Sequence, residues 1–105
     1  MKHIDVQALK QMRDNHTPHQ LIDVREIHEV ELCSIGGEHI PMGEIIDRHT
    51  EVRNDIPVIV HCRSGSRSMA VITALENHFG YTNLHNLTGG IMAWAREIDP
   101  SIEVY

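Results

Sequence analysis

Long apolar runs are missing from this 105-residue chain. The longest, Ile56 to Val60, has five residues and contains Pro57, against the roughly 20 that a membrane-crossing helix needs. No membrane span is expected. The opening twenty residues, MKHIDVQALKQMRDNHTPHQ, lack the apolar centre of an export signal. Cysteine is scarce too: Cys33 and Cys62 lie far apart and show no metal-type spacing. With no export signal, a structural disulfide is not expected and a reduced, cytoplasmic setting is. Positive charge is in short supply, with nine Lys and Arg against fifteen Asp and Glu, a formal charge of −6 with His neutral. A broad nucleic-acid surface is thereby excluded, because it needs many cations to displace counterions from phosphates. Any anion site must be local. Repeats, low-complexity tracts and linkers are also absent, so residues 1–105 read as one domain, long enough to bury a core and too short for two.

Histidine, by contrast, is abundant, with nine residues scattered along the chain. Only His16 and His19 share a helix-like spacing, and the adjacent Pro18 disfavours a helix there. No metal site is expected from them and no cofactor is called for.

The pattern of elements is alternating. Asp5 is placed to cap a first helix carrying Val6, Leu9 and Met12, with Ile4 and Leu9 as a staple across its start. QLIDV (20–24) and PVIV (57–60) are short apolar runs without clean alternation, as expected of strands covered on both faces. Met69, Ile72, Leu75 and Phe79 predict the inner face of a helix that Gly80 stops. TNLHNL (82–87) reads as a further strand. Gly89-Gly90 reads as a turn, and Ile91, Trp94, Ala95 and Ile98 as a last helix ended by Pro100, with Trp94 in the core. Between Arg25 and Asn54 the pattern is poorer: EIHEVELC suggests one or two helical turns, Gly36-Gly37 a break, EHIP a short strand and MGEIIDRH another helical turn. Strands alternating with helices predict an α/β sheet with crossover helices, whose ligands bind beyond the carboxyl ends of the strands.

HCRSGSRS (61–68) stands at that position, and it places one thiol among many donors. A thiol becomes a nucleophile as the thiolate, which nearby cations and a helix N-terminus favour. Arg63 and Arg67 supply the charge, and the helix that follows supplies N–H groups facing back toward Cys62. Gly65 frees the backbone to gather successive N–H groups into a nest. Ser64, Ser66 and Ser68 add hydroxyls, one of which is expected to cap the helix. Cys62 is therefore the candidate nucleophile, and Arg63, Ser64, Gly65, Ser66, Arg67 and Ser68 its anion-binding loop. Cys33, in the apolar ELCSI without a cationic neighbour in sequence, reads as a packed structural thiol.

Four motifs in order resemble the rhodanese-like sulfurtransferase family over nearly the whole chain. They are LIDVRE (21–26), a variant glycine-histidine-isoleucine-proline segment in GGEHIPMGEI (36–45), VIVHCRSGSRS (58–68), and NLTGGIMAWAREIDPS (86–101). The pattern looks most like the rhodanese domains appended to sulfur-carrier adenylyltransferases. The resemblance implies a three-layer α/β/α fold with a five-stranded parallel sheet. It also implies that Cys62 takes a sulfane sulfur as a persulfide from a small anionic donor such as thiosulfate and passes it to a thiophilic acceptor, with a protein of a sulfur relay as a possible partner. Arg63 is then the first choice for holding the donor, while Arg67 does the same or braces the loop. Asp23 and Arg25 match the family's Asp-x-Arg pair, a support near the site. The chain departs from the family's usual alanine and asparagine after the second glycine of GGEHIPMGEI.

Two other readings stand beside this one. Cysteine phosphatases and arsenate reductases also seat an anion over a thiolate, but the phosphatase loop is Cys-x5-Arg, whereas Cys62 to Arg67 is Cys-x4-Arg and Ser68 stands where that arginine would be. A non-catalytic sulfur-carrier or regulatory binding module would keep Cys62 without turnover.

Overall fold

The computed structural model describes residues 1–104; Tyr105, the last residue of the expected unit, lies outside the described residues. Five strands form one sheet: β1 (Lys2–Ile4), β2 (Gln20–Asp23), β3 (Glu38–His39), β4 (Val58–His61) and β5 (Leu84–Leu87). Every pairing is parallel and the spatial order is β1-β5-β4-β2-β3. Four helices connect or flank them: α1 (Val6–Asp14), α2 (Ile27–Leu32), α3 (Ser66–Phe79) and α4 (Gly90–Glu97). This is the expected α/β architecture with a five-stranded parallel sheet.

Burial on both faces explains the unbroken apolar runs. All four residues of β2 and of β4 are buried, because helices cover the central strands on either side. Successive side chains point to opposite faces. Leu21, Ile59 and Leu87 of the strands accordingly join Val6 and Leu9 of α1 and Ile91 and Trp94 of α4 on one face. Ile22, Val58, Val60 and Leu84 join Val71, Ile72 and Leu75 of α3 on the other face. Trp94 is in the core, as expected, with the Arg13 guanidinium 5.0 Å from its ring centroid.

Asp5 caps α1 by accepting from the Ala8 N–H at 2.8 Å. The strand β1 just before it was not foreseen, since three residues at a sheet edge carry too little pattern to separate from a helix start. The inner face of α3 is shifted from the expected one: Ser68, Val71, Ile72 and Leu75 are buried, whereas Met69 and Phe79 are exposed. Phe79 instead stacks on His49, with centroids 3.8 Å apart. The last helix stops at Glu97, before Pro100, and its buried side chains are Ile91, Ala93 and Trp94, while Ala95 and Ile98 are half-buried. In the middle section α2 and β3 fall within EIHEVELC and EHIP, and MGEIIDRH begins with a 3-10 turn at Met42–Glu44. Among the described residues no helix is long and apolar enough to cross a membrane.

Candidate active site

Cys62 follows directly on β4, at the carboxyl end of the sheet, and α3 starts four residues later. Its sulfur gathers donors from that junction. The Gly65 N–H lies 3.1 Å from Sγ, the Ser68 N–H 3.5 Å, and the Ser68 hydroxyl 3.5 Å. Burial pushes the Cys62 thiol up, but the hydrogen bonds from the Ser68 hydroxyl and from the N–H groups of Ser68, Gly65 and Ser64 outweigh it. The net shift is downward, toward the thiolate.

None of the three serines caps α3. Gly65 occupies the cap position at φ +119°, with no side-chain cap bond, a conformation that strongly favours glycine. The third residue of the helix, Ser68, donates its N–H to Cys62 Sγ instead. The sulfur thus takes the place of a capping oxygen and sits where the helix dipole favours negative charge. Ser68 also brings its hydroxyl within 2.9 Å of the Gly65 carbonyl and 2.5 Å of Asn86 Oδ1, tying the loop to β5.

The two arginines of the loop differ in setting. Arg67 forms a bidentate pair with Glu29 of α2, at 2.6 and 2.9 Å, and this pairing holds the Glu29 carboxyl down at about 2. The pair braces the loop against α2, a helix with no buried residue of its own. Arg63, half-buried, carries a carbonyl that accepts the Met92 N–H at 3.1 Å, and the Cys62 carbonyl accepts the Ile91 N–H at 3.0 Å. The first turn of α4 therefore clamps the loop from behind. Ser64 and Ser66 are exposed at the rim.

Asp23 ends β2, in register with His61 of β4, and Arg25 follows two residues on. Arg25 is 1% exposed and reaches Asp23 with Nε at 3.0 Å and with a terminal nitrogen at 2.8 Å. Burial pushes the Asp23 carboxyl up, yet the Arg25 bonds and the nearby positive charge leave it below the usual range. Arg25 also donates to the Cys33 carbonyl at 2.8 Å and stands 3.7 Å from Cys33 Sγ. Cys33 thus has a cationic neighbour that its sequence surroundings do not show. It packs against the α1/α4 core and both cysteines are free.

Sequence reading did not single out Glu29, Asn86, His61 or Ile91 as parts of the site. Glu29 carried one signal, since Glu26-x-x-Glu29 forms the capping box of α2; its pairing with a residue 38 positions away carried none. Asn86 was legible only as a polar residue out of place in a strand.

Residues 5–97 match the Rhodanese-like domain model. The chain belongs to the rhodanese-like domain family. Among curated relatives, the adenylyltransferase and sulfurtransferase MOCS3 of Drosophila willistoni is 32% identical over 97% of this chain and 24% of its own length. MOCS3-1 of Zea mays is 29% identical over 97% of this chain and 23% of its own. This rhodanese-like domain therefore spans about a quarter of those relatives. Among solved structures, a rhodanese-like domain protein from Staphylococcus aureus superposes with a TM-score of 0.82 at 29% identity, covering 100% of this chain and 99% of that one. A thiosulfate sulfurtransferase from Pseudomonas aeruginosa shares the fold, with a TM-score of 0.81 at 21% identity, covering 100% of this chain and 20% of its own. Membership supports sulfurtransferase or sulfur-carrier chemistry in general.

Proposed function

We propose that this rhodanese-like domain is a sulfurtransferase that carries a sulfane sulfur on Cys62. The Cys62 thiolate attacks the outer sulfur of a small anionic donor such as thiosulfate. A new sulfur–sulfur bond forms to Cys62, the donor's own sulfur–sulfur bond breaks, and sulfite leaves with the electron pair. A thiophilic acceptor, such as a protein thiol of a sulfur relay, then takes the outer sulfur and the Cys62 thiolate leaves. The convergence of the Gly65 and Ser68 N–H groups on Sγ carries this reading, because such a cradle stabilises negative sulfur before and after transfer without needing a proton acceptor. Arg63 holds the donor at the rim, and Ser64, Gly65, Ser66 and Ser68 complete the loop. Arg67 braces it through Glu29, and Asp23 with Arg25 supports it. Two free cysteines suit a reducing, cytoplasmic setting.

A phosphatase reading is disfavoured by the engagement of Arg67 with Glu29, which directs that guanidinium to a carboxylate of the protein. The carrier reading draws support from the burial of Cys62, which is 0% exposed. Any donor needs the groups that cover the sulfur to shift before it reaches it, and a docked partner is one way to shift them.

Intact mass after incubation with thiosulfate and removal of the excess tests the proposal. A gain of one sulfur atom on Cys62, reversed by cyanide, abolished by Cys62→Ser and kept by Cys33→Ser, is expected. A persulfide mapped to Cys33, or no gain at all, overturns it. Persulfide formation without multiple turnovers on any thiol acceptor selects the carrier reading.

A further inference from the structure

His61 is the last residue of β4, in register with Asp23, and is 0% exposed. Its two ring nitrogens both face acceptors. Nδ1 lies 3.3 Å from the Cys62 carbonyl oxygen. Nε2 lies 3.7 Å from Asp23 Oδ2, beyond hydrogen-bond reach, and has no hydrogen-bond partner among the described residues. Burial pushes the imidazole below its ordinary value, against the pull of Asp23 and with the repulsion of Arg25 and Arg13. A neutral ring has one N–H to give. Asp23 is already served by Nε, a terminal nitrogen and the backbone N–H of Arg25. The Cys62 carbonyl accepts from Ile91 and has a second lone pair open. The better use of the single proton is on Nδ1.

We propose that His61 is a positioning residue for the sulfur site, donating from Nδ1 to the Cys62 carbonyl and, together with the Ile91 N–H, fixing the peptide that aims the loop at the sulfur. The geometry makes this effective because Ile91 lies on the α1/α4 side of the sheet while Cys62 packs on the α3 side. A carbonyl held toward α4 leaves the N–H groups of Ser64, Gly65 and Ser68 to face Sγ. No proton leaves the ring at any step. The inference rests on reading Cys62 as the sulfur-accepting thiolate.

Long-range proton–nitrogen correlation on the uniformly labelled protein at neutral pH reads the tautomer directly. A neutral ring protonated at Nδ1 is expected, and protonation at Nε2 alone, or at both nitrogens, overturns the proposal. In a Cys33→Ser background, the pH profile of Cys62 alkylation by iodoacetamide is then compared among the parent, His61→Phe and His61→Asn, beside thermal melts. His61→Phe should slow alkylation at neutral pH about three- to tenfold, the effect of one net hydrogen bond, and move the profile to higher pH. His61→Asn, whose amide nitrogen stands near the Nδ1 position, should recover most of the loss. A folded His61→Phe protein with the parent profile, or a folded His61→Asn no better than it, sinks the proposal; if His61→Phe does not fold, the tautomer decides. Persulfide gain on the parent is measured alongside: its absence defeats the sulfurtransferase reading, whereas tautomer and profile still judge His61.

Discussion

Gly90 stands so close to Cys62 that a Cβ built on it would lie 2.5 Å from the Cys62 carbonyl oxygen, and no farther from that of Arg63. Its φ is +57°, and the next two residues, Ile91 and Met92, donate to those same carbonyls. The second glycine of the pair therefore does more than turn the chain into α4. It lets the helix start press against the loop that holds the sulfur.

Gly90→Ala should destabilise the domain by about 2–4 kcal/mol, combining backbone strain with a clash against backbone that has no room to yield. Sulfur loading should fall as well, since the loop carbonyls lose their clamp. Gly43→Ala is the control: a Cβ there meets nothing within 4 Å, so its effect should stay within about 1 kcal/mol. Denaturant melts of the two variants check both figures, and equal midpoints would show that the close approach is not structural.

Ser68→Ala removes a hydroxyl from the sulfur and from Asn86 Oδ1. The Cys62 thiol should rise toward its ordinary value, and alkylation at neutral pH should slow several-fold. Leaving Asn86 Oδ1 buried without this partner should cost about 1–3 kcal/mol. Alkylation kinetics and a melt read the two effects separately.

The Glu29–Arg67 pair predicts the shape of the acid limb of stability. Glu29 has an ordinary value of 4.5 and is held at about 2 in the folded protein. A depressed folded value means stability that is present above 4.5 and lost as pH falls from there through about 2. Glu29→Gln should remove that slope. Its effect at neutral pH should be about 1 kcal/mol, because both partners touch solvent and screening discounts the pair. Melts across the acid range of parent and variant, with an unchanged slope, would count against the brace.

Arg63→Ala should weaken use of thiosulfate by roughly tenfold or more in kcat/KM, as expected for losing a charge-assisted bond of about 1.5–3 kcal/mol to the donor. The melting temperature should change little by comparison. Steady-state kinetics beside a thermal melt decides this, and an unchanged kcat/KM removes Arg63 from the donor site.

The alternation of strands and helices, the parallel sheet, and the place of Cys62 at a strand-to-helix junction were all legible in the residues. Each of these depends on neighbours within a few residues: apolar runs such as PVIV, the Asp5 cap, and the glycine and arginines around the thiol. The N–H groups on the sulfur come from the same loop, within six residues of Cys62; what each arginine does, and what holds the loop in place, emerge from long-range packing. Arg67 and Arg63 look alike in HCRSGSRS, yet Arg67 pairs with Glu29 across 38 residues, and Cys33 acquires Arg25 as a neighbour. The expected serine cap gave way to Gly65 because Cys62 Sγ, brought over the helix start by β4, accepts the N–H that a cap would have taken. The shifted face of α3 has the same origin. Helical spacing marks a stripe, but the sheet beneath it and the pull of Ser68 toward Asn86 on β5 select which side turns inward. Short-range pattern fixes the elements and the N–H cradle of the sulfur, whereas hydrogen bonds between distant segments fix how the loop is braced, since nothing local encodes such a partner until the sheet has brought both ends together.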